Sequence, residues 1–426
     1  MNDLGVIFQK SVLDNGLVVV SEAVPYLKSI ALSVFVKVGS RDENEDPPGV
    51  SHFMEHLFFK GTTRRSCADI AQEIDAIGGL FDAFTSKEYT GFFIKVLDEH
   101  LETAVDLLWD ILLRPLFAEE HVTGERSVII DEIRMVDDNP EEVVHEQFNE
   151  AFYGNHPLAR PILGTRESVG AMRRDDVLRY YGRFYKPDRF VIAAAGNVEH
   201  DRLLALLAVQ ASRQPLTGVS VRMVVAPPVA HFGTLTRQRD LEQIHFTLGF
   251  PAPQQDDPDR FPAHLLTSIL GGTMSSRLFQ IVREEHGLVY SIYASRAAFH
   301  DTGYLSICAG CAPEVLGQVL SLTADIIADL KRDGVEEAEL ERCKQQFRGS
   351  FLLGQESSSA RMTSIAQQEI YFGRRLPPEE TLQEVAAVTL QQVQDLANRV
   401  LRSEQLCGVF LGPLDESCSA LAELRL

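Results

Sequence analysis

The chain has 426 residues, 45% of them hydrophobic, and a formal charge of −21 at pH 7. That length and apolar content supply cores for two or three domains, and no apolar run approaches the ~20 residues a membrane-spanning helix needs. So large a negative charge argues against non-specific nucleic-acid binding, so neither a nucleic acid nor a membrane is expected as a partner.

Residues Phe8 to Glu22 predict two strands joined at Asp14, Asn15 and Gly16. Ile30, Leu32, Val34, Val36 and Val38 alternate, which predicts a half-buried strand from Ile30 to Gly39. An acidic loop, Ser40 to Pro48, leads into GVSHFMEHLFFKGT at residues 49–62. In a helix there, His52 and His56 stand one turn apart on one face, with Glu55 beside them. Two imidazoles at that spacing can hold one metal ion, and the carboxylate can take a proton from water. This H-x-x-E-H order is the reverse of H-E-x-x-H and marks inverted zinc peptidases. Leu57, Phe58 and Phe59 predict that the helix is buried, where histidines and a carboxylate need partners.

A zinc site needs a third protein ligand and an open fourth position. Downstream, Cys67 to Ile77 predicts a helix closed by Gly78 and Gly79, and LFDAFTSKEYTGFFIKVL two strands turning at Lys87. A helix from about His100 to Leu113 precedes GERSVIIDEIRMVDDNP, where Glu125 and Glu132 lie two helical turns apart on one face. Helices at Pro140–Phe152 and Asp175–Phe184, a strand at Arg189–Gly196 and a helix at Asp201–Ala211 complete the first half. Pro215, Gly218, Pro227 and Pro228 mark a linker, placed at 213–231 between domains 1–212 and 232–426.

The second half repeats this order roughly 210 residues on. A strand at Glu242–Phe250 is followed by helices at Ala263–Leu270 and Arg277–His286. Strands at Val289–Ser295 and Gly303–Ala309, a helix at Pro313–Leu330 and another opening at Glu339 come next. The fold class expected is α+β: two tandem homologous domains, each a mainly antiparallel sheet packed with helices. The second copy has no H-x-x-E-H. Of six scattered cysteines, Cys308 and Cys311 form a C-x-x-C within a strand; with no second pair, buried free thiols are expected.

Glu132 follows His56 by 76 positions. At that spacing the sequence resembles the pitrilysin/insulinase family of zinc peptidases, from Val12 to about Val409. The resemblance implies one Zn2+ per chain on His52, His56 and Glu132, Glu55 as general base and later proton donor, and Glu125 as supporting carboxylate of the catalytic site. LGGTMSSRLFQIVREEHGLVYSIYAS also resembles the family, whose Arg and Tyr seven residues apart match Arg283 and Tyr290. Such groups are implied to face the zinc site and stabilise an oxyanion. In GGLFDAFTSKEYTGF the family usually carries Asn where Asp82 stands, and an ionised Asp accepts hydrogen bonds without donating. Asp82, Ala83 and Phe84 are the candidate substrate strand, holding an extended peptide by strand addition.

The family implies an endopeptidase acting on unfolded or extended peptides in an enclosed chamber. A two-domain member with both motif sets is expected to act as a homodimer. Two alternatives remain: a non-catalytic scaffold or partner subunit of the same fold, and a subunit active only with a different homologous chain. The stretch MNDLGVIFQKSVLDNG resembles no secretory or organellar address, so a cytoplasmic location is expected.

Overall fold

The computed structural model describes residues 5–213, 216–220 and 226–414, so part of the expected linker, including Pro215, lies outside the described residues. One sheet comprises β1 (Ile7–Val12), β2 (Val18–Ala23), β3 (Ser29–Val36), β4 (Leu80–Thr85), β5 (Thr90–Leu97) and β6 (Phe190–Gly196), in the order β1-β2-β6-β3-β5-β4. The other comprises β7 (Gly233–Gln238), β8 (Ile244–Pro251), β9 (Val289–Ala298), β10 (Gly303–Cys311) and β11 (Cys407–Gly412), in the order β7-β11-β8-β10-β9. Each has one parallel pair, β2 with β6 and β7 with β11, and is otherwise antiparallel. Without β1 the two orders and strand senses coincide.

The helices of the first half are α1 (Val50–Phe58), α2 (Cys67–Ala76), α3 (Leu101–Leu113), α4 (Glu119–Asp137), α5 (Pro140–Tyr153), α6 (Arg166–Ala171), α7 (Arg174–Phe184) and α8 (His200–Arg213). Those of the second are α9 (Arg260–Thr267), α10 (Leu316–Asp333), α11 (Glu337–Gly354), α12 (Ser358–Phe372), α13 (Pro378–Ala387) and α14 (Leu390–Val400). The helix expected at Arg277–His286 is a wider, π-type helix over Phe279–Glu285. Strands β7 and β11 and helices α12 to α14 were not anticipated. β7 is almost wholly polar and exposed, so it lacks the alternation by which strands are read.

Two compact units emerge, and each draws on both halves of the chain. The first contains Met1–Arg134, Arg160–Val225 and Phe351–Arg375; the second contains Met135–Ala159, Ala226–Ser350 and Leu376–Leu426. The units thus cross the division expected at 213–231. In the first, Leu32, Val34, Phe92 and Ile94 of the sheet bury against Phe53 and Leu57 of α1 and Leu108 and Ile111 of α3. The opposite face, Val18, Val20, Ala31, Phe35 and Val191, is covered by Met362, Ile365 and Ala366 of α12. Strand β3 is therefore buried on both faces rather than half-buried, because a helix from late in the chain covers the side expected to meet water. Glu22 on β2, 3% exposed, pairs with Arg361, and with Arg375 at 2.9 Å, tying that late segment to the sheet.

The second unit repeats the arrangement with an early helix. Val144, Phe148 and Phe152 of α5 cover Val409 and Leu411 of β11. Gly249 makes room for this contact: a Cβ there would fall 2.2 Å from the Phe148 ring. Cys308, Cys311, Cys343 and Cys407 are buried free thiols and Cys67 an exposed one; Cys418 lies outside the described residues. Among the described residues no helix is long and apolar enough to cross a membrane.

Candidate metal centre

Helix α1 begins at Gly49, whose φ of +89° and Cβ position, 2.5 Å from the Leu163 carbonyl oxygen, admit only glycine. A glycine has no side chain to cap the helix. Glu43, fully buried, does so from the preceding loop, accepting from the amides of Gly49 at 2.8 Å and Ser51 at 2.9 Å. Burial pushes the Glu43 carboxyl up to about 7, against the pull of those two amides and Ser51. Val50, Phe53, Met54 and Leu57 bury the inner face of α1 completely, which leaves His52, Glu55 and His56 on the other.

That face meets α4. His52 Nε2 lies 3.7 Å from Glu132 Oε1, and His56 Nε2 lies 3.6 Å from Glu132 Oε2. The two imidazole centroids are 4.7 Å apart, and one donor atom from each of the three residues falls within 4.8 Å of the others. These separations are too long for hydrogen bonds. Ligands ~2.1 Å from one zinc in tetrahedral array would stand about 3.4 Å apart. Three lone pairs thus face a common point without satisfying one another, which fits a shared cation. Burial, then the neighbouring His56, lowers the His52 imidazole to about 4, so it is neutral at pH 7 as a ligand must be.

Glu125, 5% exposed, orients His56 rather than joining the cluster: its Oε2 accepts from His56 Nδ1 at 3.1 Å. That bond places the His56 proton on Nδ1 and turns the Nε2 lone pair toward Glu132. Lys60 Nζ stands 2.6 Å from the other Glu125 oxygen. Glu55 Oε2 accepts from the Thr85 hydroxyl at 2.5 Å. Burial pushes the Glu55 carboxyl above its ordinary range; the Thr85 bond and His56 oppose this, and Glu132 and Asp82 add to it.

Sequence reasoning missed Lys60, Thr85 and Glu43. Lys60 had a legible signal, since it sits one turn past His56. Thr85 and Glu43 reach α1 only through tertiary contacts, so no spacing in the chain points to them.

Asp82, Ala83 and Phe84 lie on β4, an edge strand of the first sheet. Asp82 Oδ1 accepts from the Ala83 amide at 2.9 Å. The Phe84 ring packs on Phe35, Tyr89 and Phe93, so its side chain belongs to the sheet face and only its backbone remains for a peptide. In the second unit, Arg283 and Tyr290 come together. The guanidinium carbon sits 4.5 Å from the Phe279 centroid and 5.5 Å from that of Tyr290, which is 84% exposed.

The family described as Insulinase (Peptidase family M16) matches residues 18–166, and the Peptidase M16 inactive domain matches residues 171–347. An uncharacterized zinc protease of Mycobacterium leprae is 39% identical over 424 residues, covering 98% of this chain and 94% of the relative. One of Bacillus subtilis is 38% identical over 393 residues, covering 92% of this chain and 95% of the relative. Two crystal structures share the fold: a protease from Helicobacter pylori, with a TM-score of 0.89 at 22% identity over 95% of this chain and 99% of that one, and a peptidase M16 inactive domain from Pseudomonas fluorescens, with a TM-score of 0.88 at 21% identity over 96% and 98%.

Proposed function

The chain belongs to the insulinase family of peptidases, family M16, and is a zinc metalloendopeptidase; from that premise we propose that it hydrolyses extended or unfolded peptides in an enclosed chamber and acts as a homodimer. One observation supports this reading most. His52, His56 and Glu132 turn their free donor atoms toward one point at 3.6–3.7 Å, with the Glu55 carboxylate one helical step away. Zinc held there supplies Lewis-acid polarisation of a carbonyl and acidifies a water molecule.

The chain's own residues do the rest. Glu55 takes a proton from water and returns it to the leaving amine, and its partial desolvation brings its basicity nearer neutrality. Glu125 and Lys60 hold His56 in the ligating tautomer. The edge strand at Asp82, Ala83 and Phe84 pairs with the peptide backbone, which selects an extended segment and leaves side-chain preference loose. Arg283 and Tyr290 serve as donors to the substrate carbonyl, a role taken from the family resemblance. The shared strand order of the two units is what a tandem duplication would leave.

The test is cleavage of a flexible peptide of a few tens of residues by the purified chain alone. Activity should vanish with a chelator, return with zinc, and be absent on a stably folded domain of the same charge. Cleavage that survives metal removal contradicts the assignment, and equal rates on both substrates contradict the chamber. Mixing Glu55→Gln with Tyr290→Phe under subunit exchange tests assembly. Recovery of activity only after re-pairing means that two chains complete each other's sites; mixed dimers without recovery mean that each chain completes its own.

A further inference from the structure

We propose that Thr85 is a positioning residue for Glu55, fixing the general base to the strand that takes the peptide. The inference rests on the reading of Glu55 as the base. The Thr85 hydroxyl donates to Glu55 Oε2 at 2.5 Å, and Glu55 has no other hydrogen bond among the described residues. One carboxylate oxygen is therefore held and the other is left for water. A glutamate side chain turns about three bonds, and a single short bond from a β-branched neighbour removes most of that freedom.

Thr85 is well placed to act as an anchor. It ends β4, in register with Thr90 of β5, directly after the substrate-strand residues Asp82, Ala83 and Phe84. The turn that follows is closed by Ser86, whose amide and hydroxyl both reach the Tyr89 carbonyl, at 2.9 and 2.7 Å. The carbonyls of Ser86 and Lys87 accept from the amides of Ser40 and Arg41, at 3.1 and 2.8 Å. Those residues open the loop that carries Glu43, and Glu43 caps α1. The connections run from α1 through Glu43, the loop and the turn to Thr85, and back to α1 at Glu55. The base is thus fixed at both ends, by its own helix and by the edge strand. A peptide paired with β4 would be in register with the base that acts on it.

Among the described residues the bond to Glu55 is also the only side-chain hydrogen bond of Thr85 that an isosteric valine would lose. Peptide pairing uses the strand backbone, which valine preserves, and valine suits a strand as well as threonine does.

The experiment compares Thr85→Val, Thr85→Ser, Glu55→Gln and the double variant Glu55→Gln/Thr85→Val, using a flexible peptide. Bound zinc and melting temperature are measured alongside kcat and KM. In Thr85→Val, kcat should fall about tenfold to a hundredfold while KM stays within about twofold, with zinc content and melting temperature unchanged. Thr85→Ser keeps the hydroxyl and should restore kcat to within about threefold of wild type. In the Glu55→Gln background Thr85→Val should cause no further loss, because the group it positions is gone. If valine lowers the melting temperature, Thr85→Ala against Thr85→Ser carries the same comparison. A wild-type kcat in Thr85→Val beside an inactive Glu55→Gln overturns the inference alone. A loss that serine does not relieve, that appears in KM, or that recurs in the Glu55→Gln background also overturns it. An active Glu55→Gln instead removes the general-base reading, and this inference with it.

Discussion

Helices α1 and α9 occupy the same place in the strand order of their units, one following β3 and the other β8. On α1, His52 and His56 turn free nitrogens toward Glu132. On α9 there is one histidine, His264, stacked edge-on against Phe347 at 5.1 Å, and burial lowers its pKa, with Arg296 adding to the effect. The helices that follow each pair of strands differ in the same way. Among the described residues Glu132 of α4 makes no hydrogen bond, its oxygens lying 3.6–3.7 Å from the two imidazoles, whereas Glu339 of α11 is gripped by Arg277 at 2.9 and 2.8 Å. One scaffold thus carries two outcomes. Where donors and acceptors satisfy one another, the polar groups stabilise the unit; where three lone pairs converge unsatisfied, the unit has a candidate metal centre.

The largest effect that probes this contrast should come from separating base from ligand in the first unit. Glu55→Gln should lower kcat by about a hundredfold to ten-thousandfold and retain zinc, whereas Glu132→Gln should lose both activity and metal. Measuring bound zinc in the two inactive proteins checks it. Loss of zinc from Glu55→Gln would mean that Glu55 is a ligand.

The exchanged helices sharpen the comparison further. Helix α5 is held on its sheet by aromatic packing, with Phe148 at 5.0 Å and Phe152 at 5.8 Å from Tyr304 of β10. Phe148→Ala should destabilise the protein by about 3–5 kcal/mol, because the ring fills the space over Gly249. Helix α12 leans instead on the buried Glu22, so Glu22→Ala should cost about as much by leaving Arg361 and Arg375 beside a vacant site. Denaturant titration reads both, and a change under about 1 kcal/mol in either, well short of the ~3–5 kcal/mol expected, would contradict the packing account.

The smallest effect is at Lys60. Lys60→Met should weaken zinc binding about tenfold to a hundredfold through Glu125, without removing a ligand. Competition with a coloured chelator measures it, and an unchanged affinity would leave Lys60 outside the centre.

The legible part of the site was the part written as spacing on one helix. His52, Glu55 and His56 share a face because of the helical period, as do Glu125 and Glu132. Glu43 and Thr85 were illegible because each reaches α1 from a loop or strand whose approach only the folded chain defines. The fold follows the same rule. Two α+β domains could be read from the order of elements, but amphipathic periodicity says that a helix has a sheet to cover without saying which one. That is why α5 was read with the first half although it packs in the second unit, and why β3, with α12 unread, was expected to face water.

The most direct test of the contrast between the units is zinc stoichiometry of the purified chain, measured beside His56→Ala and His264→Asn. The account predicts one zinc per chain in the wild type, little or none in His56→Ala, and one in His264→Asn. Zinc retained by His56→Ala, or lost from His264→Asn with the melting temperature unchanged, would contradict it.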